Sequence, residues 1–399
     1  MALEHPISSL AATPPQPGRL GELLVYLVAM PPEQAAATLS RLAESLGENG
    51  AIIATSNGGG IDAHPNLRVV ATPATTPAVT LTASDYVNAF HTAREHGVHG
   101  ILMLGQESSS LSAVALTRLA QAVQVDGADL VLPIYELPPR SGLVNSAILF
   151  PLTRALFASQ PRFPLAIDVG MSLRMAERMA DVGQRFTAAN QNETPLWPTN
   201  EAVVAGYAMA EVDAGTRSLP HPSDADVNGV FATVAGSFFA DVDAKASFWQ
   251  RARPFPPMRP LTSHLITAAE TPVDIAPMVE AFRLAYTHLQ EIWSLVLPPN
   301  SLLALKRLSV AAAPDFRMAD HLWARIVYDL VLAYRLRTIN RGHLLGALIP
   351  LYLAWVASHI NLVASGIDAE QHVQTLASTF ESDKPYLVSR WRWPDRFNP

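Results

Sequence analysis

From Leu23 to Ile134 the chain alternates short, wholly apolar runs with stretches whose apolar residues recur at helical spacing. Leu23–Ala29 (LLVYLVA), Ala51–Ala54 (AIIA), Leu67–Ala71, Gly100–Leu104 (GILML) and Asp129–Ile134 (DLVLPI) read as strands. Glu33–Leu46, Ser84–His96 and Ser112–Val123 read as the helices between them. Ser84-Asp85 supplies a helix start and Gly97 a stop. Strands apolar on both faces and separated by helices predict a mostly parallel α/β sheet of Rossmann-like type, covered on both sides. Ligands of such sheets sit at the carboxyl ends of the strands.

The pattern changes near residue 250. Pro254-Phe255-Pro256-Pro257-Met258-Arg259-Pro260 reads as a hinge or wrap-around linker. Beyond it, Trp323, Ile326, Val327, Leu330, Val331 and Tyr334 form one apolar helical stripe. Thr338–Gly342 breaks that stripe and a second helix begins near His343. The predicted organisation is a lead-in over 1–19, an α/β domain over 20–253 and a helical C-terminal subdomain over 254–399. Leu344–Ala364 has the length of a membrane span, but Pro350, His359 and Asn361 interrupt it. A buried helix is therefore favoured over membrane contact. The start of the chain lacks a basic segment followed by an apolar one, and the expected location is cytoplasmic. The apolar helices after residue 319 offer a face for a homo-oligomer.

Composition narrows the chemistry. Charged residues are 16% of the chain and hydrophobic ones 49%, which argues against a disordered chain. A net charge of −7 carries no basic footprint, so no nucleic-acid partner is expected. With no cysteine there is no disulfide, thiolate metal site or thiol nucleophile. Neither GxGxxG nor GxxxxGK[ST] occurs.

Four places could carry chemistry. Ser56-Asn57-Gly58-Gly59-Gly60 follows the second strand; it is either a close approach to a nucleoside, with Ser56 and Asn57 as contacts, or a glycine-rich turn. Gly105-Gln106-Glu107 follows the strand GILML, where one carboxylate could help hold a divalent cation. Asp168, in Ala166-Ile167-Asp168-Val169-Gly170, precedes a helix starting near Ser172; it could accept from a substrate hydroxyl, act as a base, or cap that helix. His221, between two prolines and followed by Asp224-Ala225-Asp226, is ligand-competent or part of a polar surface loop. Asp241-Val242-Asp243 is a literal DxD, but no apolar strand precedes it, and it is discounted as a metal motif. His91, His96 and His99 lack the spacing of a helical metal pair.

Three segments in order resemble retaining GT-A glycosyltransferases of the mannosylglycerate synthase and glucosyl-3-phosphoglycerate synthase type. They are Asp129–Tyr135 (DLVLPIY), Arg140–Ser146 (RSGLVNS) and Phe150–Leu156 (FPLTRAL). Leu322–Asp329 and Leu344–Tyr352 look like the helical region of the same relatives. The resemblance covers roughly residues 20 to 360. It implies a GT-A fold, a nucleotide diphosphate sugar donor and a divalent metal (Mg or Mn). The departures matter. Gly105-Gln106-Glu107 stands where the resemblance wants Asp-x-Asp, so the metal site is weakened to Glu107, with His221 as the match to a late histidine. Gln106 stands on the donor side of that site. Ala166-Ile167-Asp168 keeps the acid of a Gly-Gly-acid segment without its glycines. Ala29-Met30-Pro31-Pro32-Glu33 lacks the expected strand-one turn, and Trp197–Glu201 stands where an aspartate and Trp-x-Thr are expected.

The expected function is transfer of a hexose from a nucleotide diphosphate sugar to a small hydroxyl acceptor, with retention. Asp168 would orient sugar or acceptor, Glu107 and His221 would hold the metal, and Ser56 and Asn57 would meet the nucleoside. Two other readings remain open: a catalytically impaired GT-A homologue that binds a ligand or partner, and another nucleotide-using α/β enzyme such as a sugar nucleotidyltransferase. The second would want a glycine- and basic-rich loop after strand one, which is absent.

Overall fold

The computed structural model describes residues 23–47, 50–56, 67–124, 127–138, 140–220, 227–251, 259–260 and 274–394. The lead-in, most of the proline-rich hinge, Asn57 and the segment His221–Asp226 lie outside the described residues.

The α/β part runs β1 (Leu23–Leu27), α1 (Pro32–Leu46), β2 (Ile52–Thr55), β3 (Arg68–Ala71), α2 (Ala83–Glu95), β4 (Gly100–Leu104), α3 (Ala113–Gln124), β5 (Leu130–Glu136), α4 (Phe150–Phe157), β6 (Val169–Ser172), α5 (Leu173–Ala188), α6 (Pro198–Ala205) and β7 (Met209–Thr216). The order across the sheet is β3-β2-β1-β4-β6-β5-β7, with the two-residue β8 (Arg259–Pro260) beside β7. β6 alone among these strands runs antiparallel, between β4 and β5. Every residue of β1, β2 and β4 is buried, so both faces of the sheet are covered, as the unbroken apolar runs require. Helix α1 packs with α3, and α2 packs with α5. The expected α/β architecture, a mostly parallel sheet followed by a helical region, is the one observed.

Some ends differ from the expected ones. Helix α2 is capped by Thr82, not by Ser84-Asp85. Asp85 sits three residues into the helix, and its side chain accepts from the Thr82 N–H (2.9 Å) and hydroxyl (2.6 Å). Gly97 ends the helix at φ +67°, the left-handed conformation that glycine adopts without a Cβ clash. Helix α5 is capped by Ser172, whose side chain accepts from Met175 N, so Asp168 is free of that task.

The helical layer comprises α7 (Val227–Ala244), α8 (Ala246–Trp249), α9 (Ala276–Ser294), α10 (Pro299–Ser309), α11 (Asp320–Leu336), α12 (Arg341–Ala364) and α13 (Ala369–Arg392). Helix α7 packs on α11 and α12, and α13 packs on α4. By length and composition, α12 is the one helix among the described residues fit to cross a membrane. It packs against α7 and α9, and 56% of its apolar window is buried inside the molecule. Its His359 is buried, with Nδ1 2.7 Å from Nδ1 of His372 on α13, whose Nε2 meets Asp320 Oδ1 at 3.0 Å. Burial, aided by His372, holds His359 down to about 4. Near the end of the chain, Trp391 packs edge-on against Trp249, while Trp393 is exposed.

The docking of the two layers explains the most recognisable motifs. Arg154 of the PLTRAL helix donates to Gln374 and pairs with Glu381 on α13. Asn145 Nδ2 donates to the Arg162 carbonyl (2.8 Å), and Arg162 donates to Ser146 and pairs with Glu370. The Arg162 guanidinium lies over the rings of both Phe150 and Phe163. Trp323 of α11 donates to the Ala147 carbonyl (2.8 Å). These residue types are thus required by a packed seam between sheet and helices.

Arg162 N–H also donates to Glu211 on β7 (2.7 Å), and burial pushes the Glu211 carboxyl up to about 7. The unfolded chain ionises near 4.5, so the folded state is penalised as pH rises from there to 7, and fully above 7. Glu211→Gln keeps the acceptor and removes the charge. It is expected to gain up to about 3 kcal/mol at pH 8 and nothing below pH ~4.5, in urea unfolding measured at the two pH values. An equal effect at both would refute the assignment.

Candidate functional site at the carboxyl edge of the sheet

β1 to β5 and β7 all point the same way, so their carboxyl ends share one edge. The antiparallel course of β6 brings its amino end to that edge too. Asp168, just before Val169, therefore meets the loop that leaves β4. Gly105 N donates to Asp168 Oδ1 (2.9 Å), with the Gly105 Cα close against the Ile167 backbone: a Cβ there would lie 2.7 Å from Ile167 O.

Arg217, the residue after β7, closes the arrangement. It and Asp168 are 0% exposed and form a bidentate pair: Nε to Oδ2 at 2.9 Å, Nη2 to Oδ1 at 3.1 Å. The same guanidinium donates to the carbonyls of Gln106 (2.6 Å) and Ser218 (2.6 Å) and reaches Ser110 Oγ at 3.4 Å. Tyr135 of β5 donates to Asp168 Oδ2 at 2.7 Å, and burial followed by Asp168 pushes its phenol up. Each Asp168 oxygen thus accepts two hydrogen bonds, the capacity of a carboxylate. Asp168 is saturated and walled in. It orders the β4 loop and has no lone pair left for a substrate hydroxyl in this conformation.

That loop carries Gln106 and Glu107, both half-buried. Glu107 stands at φ 60°, a left-handed conformation costly for a residue with a Cβ, by roughly 1 kcal/mol. It is held there from two sides. Gln34 of α1 donates to the Glu107 carboxylate and accepts from its N–H, and Ser110 Oγ donates to its carbonyl (2.6 Å). Gln106 Nε2 reaches the carbonyl of Ala29 at 3.4 Å. At the end of β2, the Ser56 hydroxyl is buried and finds no hydrogen-bond partner among the described residues.

The edge therefore assembles Ser56, Gln106, Glu107 and Asp168, with Asn57 and His221 outside the described residues. Sequence reasoning missed Arg217, Gln34, Tyr135 and Ser110. Arg217 carried no signal of its own, since β7 before it (MAEVDAGT) is not an apolar run. A metal finds only one available carboxylate here, Glu107. Among the described residues no group of three His, Asp or Glu could hold one. The described residues alone do not fit a divalent ion.

A second cluster lies between α5, α6 and α7. Lys245 Nζ pairs with Glu201 (2.7 Å) and with Asp241, Arg178 pairs with Glu201 (2.8 Å), and Asn200 donates to Asp241 (2.8 Å). Burial alone would raise the Glu201 carboxyl, but Lys245 and Arg178 outweigh it and hold it below the usual range. Asp241 and Asp243 stand on one helix two residues apart. Asp243 faces Arg335 (3.8 Å) instead of joining Asp241, so this DxD makes no joint site.

No family model and no curated protein matches the chain. Among solved structures, glucosyl-3-phosphoglycerate synthase from Mycobacterium tuberculosis, in complex with Mn2+ and UDP-glucose, is similar at 15% identity over 55% of this chain and 78% of that one, with a TM-score of 0.35. Mannosyl-3-phosphoglycerate synthase from Rubrobacter xylanophilus shares 14% over 60% of this chain and 82% of that one, with a TM-score of 0.37. A mannosyltransferase from Pyrobaculum calidifontis, in complex with GDP-mannose and Mn2+, shares 11% over 94% of this chain and 88% of that one, with a TM-score of 0.35. At these TM-scores the likeness carries no argument about what this chain does.

Removing the Arg217 charge strands Asp168 in the interior. Arg217→Met is expected to cost about 3–5 kcal/mol in urea unfolding. The double variant Arg217→Met/Asp168→Leu should cost clearly less than the two single losses added together. Additive losses would mean that the pair does not act as a unit.

Proposed function

We propose that the chain is a GT-A-type glycosyltransferase that binds a nucleotide diphosphate sugar at the carboxyl edge of its sheet. The observation that carries this reading is the Glu107 turn: a strained, doubly clamped loop after a central strand, at the edge where such sheets take their ligands. Together with the ordered resemblance of DLVLPIY, RSGLVNS and FPLTRAL, it supports a nucleotide-sugar site. In this reading the Ser56 hydroxyl, with Asn57, serves the nucleoside, and the Gln106–Glu107 turn faces the diphosphate. Asp168 is a positioning residue acting through Gly105 and Arg217. Transfer goes to a small hydroxyl acceptor with retention of configuration. The ion expected from the resemblance would draw on Glu107 and His221.

The impaired-homologue reading has one observation in its favour. The Asp168 carboxylate is saturated and the Glu107 carboxylate is engaged by Gln34, which leaves little free acid for chemistry. The two readings share the donor site and part at turnover.

Calorimetric titration with UDP and with GDP, each with and without Mn2+, tests the donor site. With Mn2+ present, one nucleotide is expected to bind, at least about tenfold more weakly in Glu107→Ala, which removes a carboxylate that would hold the ion. Binding of neither to the folded protein would refute the reading. Binding without hydrolysis or transfer of a nucleotide sugar would select the impaired form.

A further inference from the structure

Between α5, α6 and α7 the fold leaves a cavity of about 490 Å³, which shares Phe186, Gln191, Thr194, Pro195, Ser237 and Ala240 with a neighbouring cavity of about 660 Å³. The first has the size of a small-ligand site. Its polar wall is the network of Arg178, Glu201, Asp241 and Lys245, and its apolar walls include Val182, Leu196 and Val204. Trp197, 3% exposed, lines the same cavity, and its indole N–H has no partner among the described residues.

We propose that this cavity is a binding site for a neutral polyhydroxylated ligand of the sugar or polyol class, separate from the Glu107 turn.

Charge balance argues for a neutral occupant. Lys245, buried, and Arg178, half-exposed, already face Glu201, buried, and Asp241, half-buried. An anion at Lys245 would have to displace Glu201 or Asp241 and leave that carboxylate without its buried partner, a costly exchange in the interior. A cation would meet carboxylates that are already neutralised. Hydroxyls need neither change. The Lys245 ammonium has three donors and uses two on the carboxylates, and each carboxylate keeps acceptor capacity. The indole N–H of Trp197 is a further lining group without a partner among the described residues. Alternating polar and apolar walls suit a sugar ring, whose hydroxyl rim and C–H faces need both. Arg185 also lines the cavity but is exposed, so its charge stays in water.

The position is also suited to a ligand of this protein. Pro195 bridges to Thr82, and Leu81 N–H donates to the carbonyl of Ala166 (3.1 Å), two residues before Asp168. The cavity wall is thus tied by backbone pairing to the segment that orders the carboxyl edge.

The test follows the Trp197 indole N–H in 1H–15N spectra of the full chain, assigned among seven tryptophans by Trp197→Phe. D-Glucose, D-mannose and glycerol are titrated separately, with 3-phosphoglycerate and inorganic phosphate as anionic comparators. At least one neutral probe is expected to shift the signal saturably, and the anions are not. Ala240→Phe fills the cavity without touching the charge network. It should weaken that probe about tenfold or more, while UDP titration is unchanged. Asp241→Asn should do the same by removing a charged acceptor, and if it does not fold, Ala240→Phe decides. Silence with all neutral probes, a response to the anions alone, or an unchanged affinity in Ala240→Phe would each overturn the proposal. Nucleotide binding is read separately, so failure here is distinguishable from failure of the transferase reading.

Discussion

A permanent internal cation organises the carboxyl edge of this protein. Arg217 is wholly buried, and its charge is matched by Asp168, equally buried. Its remaining donors hold the carbonyls of Gln106 and Ser218, so one side chain joins the ends of β4, β6 and β7. The costs of desolvating both ions are met because every donor and acceptor between them is used. The conformation of the Glu107 turn depends on this, since an αL residue with a Cβ persists only where its surroundings over-determine it. A site residue predicted to touch substrate thus became the scaffold for those that remain accessible.

The same logic recurs between sheet and helices. Arg154, Arg162, Trp323 and Asn145 spend their hydrogen-bonding groups on carbonyls and carboxylates across the seam. The order of the motifs RSGLVNS and FPLTRAL therefore reflects docking geometry as much as chemistry. Sequence patterns that identify such an architecture can be strong while the ligand contacts around them diverge.

Most charged residues that bear on function here are paired inside the molecule: Arg217 with Asp168, Lys245 with Glu201 and Asp241, Arg178 with Glu201.

The amino-acid pattern by itself determined β1 to β5, the helices α1 to α3 and the helical C-terminal half, but not β6 (VGMS) or β7 (MAEVDAGT), whose runs are short or carry charges. Apolar periodicity is a local property, and burial acts on it residue by residue. It also determined that Glu107 would follow a buried strand. Only the tertiary structure decided which charges meet. Nothing in the spacing of Asp168 and Arg217, or of Glu201, Asp241 and Lys245, announces a contact. The antiparallel course of β6 placed Asp168 at the carboxyl edge of the sheet, where a parallel strand would have put it at the opposite edge, and the helical period turned Asp241 and Asp243 to different faces of one helix. Ion pairs are made in space between segments far apart in the chain, and their partners exist only once the sheet order and the helix docking have been chosen.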